Sequence, residues 1–274
     1  MEIKPIAYFH SPFPEKFGIP RQAGLAPDLR GSIVFEPEYR SADALRGLDG
    51  FDYLWLIWQF SASAVVTSSG GSTASLRSAP PLAPLRSAPV PPLTVPRVAV
   101  VSPSRLATTA APWKATVRPP RLGGNKRVGV FASRSPFRPN SLGLSSVRLE
   151  SIDYEAKGPD GKPIGPVINV LGADLMDGTP IFDIKPYVEY ADSHPGARSG
   201  FVDSSARDRL EVIFPEGADG CGLDLGVLEE VLSLDPRPAF HDDPDKEYGL
   251  SFGGRQIRFK VCGGVLEVLS IKGE

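Results

Sequence analysis

Apolar and polar residues alternate in short runs along most of this chain, and a period of two predicts strands rather than helices. Residues 145–153 set Val147 and Leu149 against Arg148 and Glu150, the mark of a half-exposed strand. Residues 33–35, 167–171 and 181–187 also read as strands, and 3–9 form a first strand that Pro5 confines to an edge or a strand start. Residues 53–60 (YLWLIWQF) have no polar face and predict a strand buried on both sides, in a barrel or a sandwich. Two runs follow a helical period instead: 41–48, with Ser41 as N-cap and an end near Gly47, and 223–234, despite Gly226. Near the C-terminus, 210–214 is a strand, and 256–262 pairs with 265–271 across Gly263 and Gly264, a hairpin signal. The runs divide the chain into a larger unit, 1–204, and a smaller α+β unit, 205–274.

Three loops carry polar handles in a rigid frame. In 127–144 (RVGVFASRSPFRPNSLGL) a short strand over 128–132 leads into a turn where Arg134 and Arg138 alternate with Ser135, Pro136, Phe137, Pro139 and Asn140. The prolines fix φ and the guanidiniums present fork-shaped anion contacts from a loop held still by its scaffold. Residues 16–25 (KFGIPRQAGL) place Arg21 and Gln22 between Gly18, Pro20 and Gly24, and 235–240 (DPRPAF) form a second Arg-bearing loop. Residues 61–112 differ in character: Ala, Ser, Pro and Val with four arginines, and LRSAP twice, at 76–80 and 85–89. We read 62–112 as a low-complexity, disordered insertion with no core of its own.

Charge sharpens this picture. The net charge is only −2, yet residues 53–149 hold twelve of the 30 Lys and Arg and none of the 32 Asp and Glu. A cationic segment inside an acidic chain is expected where a polyanion docks, and nucleic acid is the commonest. Two cysteines and three scattered histidines with no H-x-x-H spacing argue against a disulfide framework and against a zinc or iron site, so a reducing cytoplasm is expected. The longest apolar run, 53–60, is far short of the roughly 20 residues of a membrane span. No G-x-G-x-x-G and no Walker loop occurs, so a nucleotide-like cofactor would need an unusual fold.

On the strand over 181–187, Asp183, Lys185 and Tyr187 share one face, where a surface ion pair and a reactive group are equally good readings. With these residues assembled, VRPPRLGGNKRVGVFASRSPFRPNSLGLS, LMDGTPIFDIKPYVEYADS, DPRPAF and EKFGIPRQAGL together closely resemble the TsaA-like (TrmO, formerly YaeB) family of tRNA N6-methyltransferases, which act on threonylcarbamoyladenosine. The resemblance implies a mainly β protein: a single-sheeted β-barrel over 1–204 that binds S-adenosylmethionine, a small α+β domain, and a homodimer acting on tRNA. Carried over by position, cofactor contacts fall on Ala23, Gly24 and Leu25, on Arg134 and Leu144, and on Met176, Asp177, Gly178 and Thr179. Ser61 joins them where the family commonly has His, and Ser141 replaces the last Pro of RPNP. Asp183 and Tyr187 are then candidate proton acceptors, Lys185 or Arg138 the cation for the threonyl carboxylate, and Arg138 and Asn140 the side facing RNA. Two other readings stay open, a non-catalytic RNA-binding barrel that stacks bases on Phe137 and a small-molecule methyltransferase.

Overall fold

The six strand runs expected over 1–204 outside the 127–144 stretch close into one barrel. In the computed structural model, which describes residues 3–60, 114–119, 122, 126–203, 208–238 and 243–273, the strands in chain order are β1 (Ala7–His10), β2 (Arg30–Phe35), β3 (Tyr53–Gln59), β4 (Thr116–Val117), β5 (Val128–Gly129), β6 (Leu142–Asp153), β7 (Val167–Leu171) and β8 (Thr179–Pro186). All but β4 and β5 form a closed barrel in the order β1-β2-β7-β6-β3-β8, every neighbouring pair antiparallel. Ser61 and the 62–112 insertion lie outside the described residues, as do Ala239 and Phe240 of the DPRPAF loop.

Alternation fills the barrel. Phe9, Ile33, Leu54, Leu56, Val147, Ile168, Val170 and Ile181 point inward and are almost fully buried. Truncating one such residue to Ala would cost about 2–5 kcal/mol. Strand β3 corrects the expectation of burial on both sides: Leu54, Leu56 and Trp58 are buried, while Tyr53, Trp55 and Ile57 look outward, with Tyr53 45% exposed.

The expected strand over 128–132 lasts only two residues, paired with β4, and Val130–Ala132 turn into a 3-10 helix. Only Val130 of that turn is buried, so no sheet face rewards further extension. The expected helix over 41–48 is likewise two 3-10 turns, Ala42–Leu45 and Leu48–Gly50, separated by Gly47 at φ +83°.

A short helix α1 (Glu189–Asp192) follows β8, and the C-terminal part holds β9 (Glu211–Ile213), α2 (Leu225–Ser233), β10 (Tyr248–Phe252), β11 (Arg255–Cys262) and β12 (Val265–Gly273). Asp224 starts α2 by accepting from the Gly226 and Val227 amides at 3.0 and 3.2 Å. The β11–β12 hairpin turns at Gly263 and Gly264, both at positive φ, and the sheet runs β10-β11-β12-β9 with β9 parallel to β12. Sequence reading missed β10.

The second core, built from Leu228, Leu232, Leu250, Phe259 and Leu266, also takes Phe13, Ala26 and Leu29 from the β1–β2 connection. Gly253 N donates to Pro12 O at 2.9 Å, Arg209 Nη2 to Leu25 O at 2.6 Å, and the Asp28 amide to Glu230 Oε2 at 3.2 Å. Gly18, at φ +87°, leaves room for Leu250, whose Cδ1 would lie 2.3 Å from an added Cβ. The connection carrying RQAGL is thereby clamped between the barrel and the C-terminal sheet.

Candidate active site

Because the barrel is antiparallel throughout, strand ends alternate, and one rim collects the β1–β2 connection, the long β3–β6 excursion and the β7–β8 connection. Those three segments carry Ala23, Gly24, Leu25, Arg134, Met176, Asp177 and Gly178 of the candidate cofactor residues, while Thr179 opens β8 and Leu144 lies on β6. Topology alone gathers them.

Within the rim, Gly24 N donates to Gly172 O and Gly172 N to Leu29 O, both at 2.8 Å. Gly172 sits at φ +75°, a conformation side chains rarely adopt, and packs against Gly24, whose Cα would be in ordinary contact with an added Cβ at 3.5 Å. The β7–β8 connection is tied to the end of β1: Gly178 N reaches Phe9 O at 2.8 Å and Asp177 N reaches Phe13 O at 2.9 Å. Asp177 Oδ1 accepts from Ser11 N and meets His10 Nδ1, both at 3.2 Å, so that oxygen is engaged in holding the turn. Thr179 is buried, its Oγ1 donating to Met176 O at 2.7 Å. Gly24 at φ +80° and Gly178 at φ +73° have nothing within 4 Å of where a Cβ would sit. Both leave open space beside the backbone, a cradle that a ligand could approach closely.

Arg134 crosses to this rim, donating from Nη1 to Gln22 Oε1. Gln22 Nε2 in turn donates to Arg21 O at 2.5 Å, and Arg21 Nη2 to Arg237 O at 3.3 Å. The DPRP loop thus borders the site, held rigid by the two-pronged Arg237–Asp235 pair at 2.8 and 3.1 Å, with Asp235 at φ +54°. Arg138 turns back into its own loop: Nη1 donates to the carbonyls of Val130 and Ser133 at 3.1 and 2.6 Å, and the guanidinium lies 5.6 Å from the Phe131 ring centre. Asn140 is exposed, as are Phe131 and Phe137, 69% and 63% open respectively.

A polar chain that sequence reading missed runs into the same rim. Trp58 Nε1 donates to Ser145 Oγ at 3.0 Å, and Ser145 Oγ donates to Asp174 Oδ1 at 2.5 Å. Burial pushes the Asp174 carboxyl above the usual carboxylate range, while Ser145, its own backbone, the Arg134 charge and the Ala23 backbone pull it back. One signal was available: counting by twos from Val147 puts Ser145 on the inward face. His10 was also missed, being an ordinary residue until the rim assembles, whereas Gln22 was expected only as a polar handle of its loop.

Asp183, Lys185 and Tyr187 form a separate group on the outer face of β8. Lys185 Nζ pairs with Asp183 Oδ2 at 2.9 Å, and Asp183 Oδ1 accepts from the Ile184 amide at 2.9 Å. The Tyr187 ring packs against Tyr53 and Trp55, with centres 6.0 and 5.9 Å apart. Leu144 belongs to this outer face as well, because Ile57 is paired with Leu144 on one side and Asp183 on the other. Two strand spacings put Leu144 about 10 Å from Asp183. It is 57% exposed and stands near the rim end of β6, so it joins the two groups.

Among the described residues there is no cluster of three or more His, Cys, Asp or Glu able to hold a metal. No helix there is long and apolar enough to cross a membrane.

The family model for the tRNA-methyltransferase O N-terminal domain matches residues 8–84 and 97–193, and that for the TrmO C-terminal domain matches 222–274. The tRNA (adenine(37)-N6)-methyltransferase of Escherichia coli is 32% identical over 282 residues, spanning 99% of this chain and 97% of that protein. A putative S-adenosylmethionine-dependent methyltransferase of Pseudomonas aeruginosa, RcsF, is 34% identical over 258 residues, 90% of this chain and 87% of its own. The crystal structure of TrmO from P. aeruginosa superposes with a TM-score of 0.66 at 28% identity, covering 100% of this chain and 97% of that one. With both family models in order along the chain, a near full-length relative and a shared fold, this chain belongs to the tRNA-methyltransferase O family.

Proposed function

We propose that this protein is a cytoplasmic tRNA methyltransferase that transfers a methyl group from S-adenosylmethionine to N6 of the adenosine at position 37, and that its substrate base is threonylcarbamoyladenosine. The observation that carries this reading is the convergence on one rim of the Gly24 and Gly178 backbone faces with Arg134, on connections tied by hydrogen bonds to one another and to the end of β1. Such a cradle fits a cofactor with an adenosine at one end and an amino acid at the other: open glycine backbone for the first, a guanidinium for the carboxylate of the second.

Bound S-adenosylmethionine supplies an electrophilic methyl carbon on a sulfonium. The chain's share is orientation, which can contribute up to roughly 7–11 kcal/mol to a well-aligned displacement, and removal of the N6 proton as the nitrogen–carbon bond forms and the sulfur takes back its electron pair. Asp183 and Tyr187 are the proposed acceptors, with Lys185 holding Asp183 in place at 2.9 Å. Arg138, anchored on Val130 and Ser133, offers a pre-set cation beside exposed Asn140 and Phe137, which suits a threonyl carboxylate on a splayed base. The active form is proposed to be a homodimer.

Equilibrium binding of S-adenosylmethionine followed by mass analysis of treated tRNA nucleosides tests the reading. Cofactor binding with methyl gain on threonylcarbamoyladenosine supports it. Salt-sensitive tRNA binding without cofactor binding would replace it with a non-catalytic RNA-binding barrel, and cofactor binding with no methyl gain in any tRNA would point to a small-molecule substrate.

A further inference from the structure

Burial makes a charge at Asp174 costly, and Ser145, the backbone amides and the Arg134 charge offset that cost only in part. Ala173 and Leu175 on either side are 3% and 1% exposed, so the backbone there is fixed by the barrel core. Ser145, 3% exposed, accepts from Trp58 and therefore directs its own proton to Asp174 Oδ1. An asparagine would accept that bond through its amide oxygen without the desolvation penalty of a carboxylate. A cation belongs to the same rim: Arg134 donates there to Gln22 rather than to Asp174, which Ser145 holds. The rim thus holds an anion and a cation apart. A ligand that carries both charges on adjacent groups, as an α-amino acid does, satisfies the two at once.

We propose that Asp174 receives the α-ammonium of the cofactor's amino-acid end while Arg134 receives its carboxylate. This rests on the reading that S-adenosylmethionine binds at this rim. It assigns Asp174 a ligand-binding role, Ser145 and Trp58 acting through it by fixing which oxygen faces inward.

Calorimetric titration of the full chain and of Asp174→Asn with three ligands decides the matter. S-adenosylmethionine and S-adenosylhomocysteine share the amino-acid end, only the first carries the sulfonium charge, and 5′-methylthioadenosine lacks that end altogether. Asp174→Asn should weaken the first two by a similar factor, roughly 10–100-fold for loss of a charged hydrogen bond, and leave the third unchanged. In paired buffers of different ionisation heat at mildly acid pH, the wild type should release protons on binding an ammonium ligand and the variant should not, because a docked cation drives the proton off a raised carboxyl. A loss confined to S-adenosylmethionine would place the charge at the sulfonium and overturn the assignment. Equal loss for all three, or no loss, would also overturn it. If the wild type binds none of the three, the cofactor reading itself falls, which is distinguishable from a failure of Asp174 alone.

Discussion

Replacing Gly143 by Ala tests how tightly the inner wall of the site is packed. An added Cβ would stand 2.3, 2.5 and 2.6 Å from Cε2, Cζ2 and Cδ2 of Trp58, an indole that is 6% exposed and rests on Phe60 with ring centres 4.3 Å apart. No flexible side-chain end can yield, so the ring itself must shift. Overpacking of this kind costs about 1–3 kcal/mol, and loss of the Trp58–Ser145 hydrogen bond adds about 1 kcal/mol. Against this, Ala in place of a strand Gly returns only about 0.5–1 kcal/mol of chain entropy. The balance is a loss of about 1–3 kcal/mol. At about 2–4 °C per kcal/mol for a chain of this class, the midpoint should fall by roughly 2–12 °C. Thermal unfolding followed by tryptophan fluorescence measures it, and the double variant with Trp58→Ala should show strong coupling, because the clash disappears with the ring. A Gly143→Ala protein as stable as wild type, or an additive cycle, would refute the packing argument.

Other consequences follow from single residues. Lys185→Ala should lower methyl transfer in a single-turnover assay with threonylcarbamoylated tRNA while leaving the thermal midpoint nearly unchanged, since its ion pair with Asp183 is exposed and worth about 0–1 kcal/mol; full activity would remove it from the mechanism. Asp224→Ala should cost about 1 kcal/mol by removing the cap of α2, seen as a lower urea midpoint, and an unchanged midpoint would show the cap to be idle. The pH dependence of Asp174 has a definite sign. Its folded value lies above the unfolded one, so its contribution to stability is fullest in acid and is lost as pH rises through the folded value. Asp174→Asn should therefore gain stability relative to wild type on going from acid to neutral pH, read from thermal midpoints across the range; a gap moving the other way would contradict the burial argument.

Much of the fold was legible because strands buried on one face write their period into the sequence. Val167–Leu171 and the Gly263-Gly264 hairpin emerged where the pattern put them. The pattern failed where local chemistry outweighed it. Val128–Ala132 has strand-forming residues but only Val130 finds a core to enter, and arginine-to-carbonyl bonds close the loop instead. Tyr53, Trp55 and Ile57 are apolar without being buried, which periodicity alone cannot tell from a strand covered on both faces. The candidate site was legible as three motifs and not as one place. Sequence offers no sign that Arg134 meets Gln22 or that Ser145 meets Asp174, contacts separated by 112 and 29 residues that exist only because the barrel closes.

Methyl transfer to N6 of threonylcarbamoyladenosine is read by incubating the full chain with S-adenosylmethionine and tRNA that carries or lacks this modification, then weighing the digested nucleosides. The expected result is one added methyl group on threonylcarbamoyladenosine and none on plain adenosine 37. Equal methylation of both tRNAs, or none in either despite cofactor binding, would contradict it.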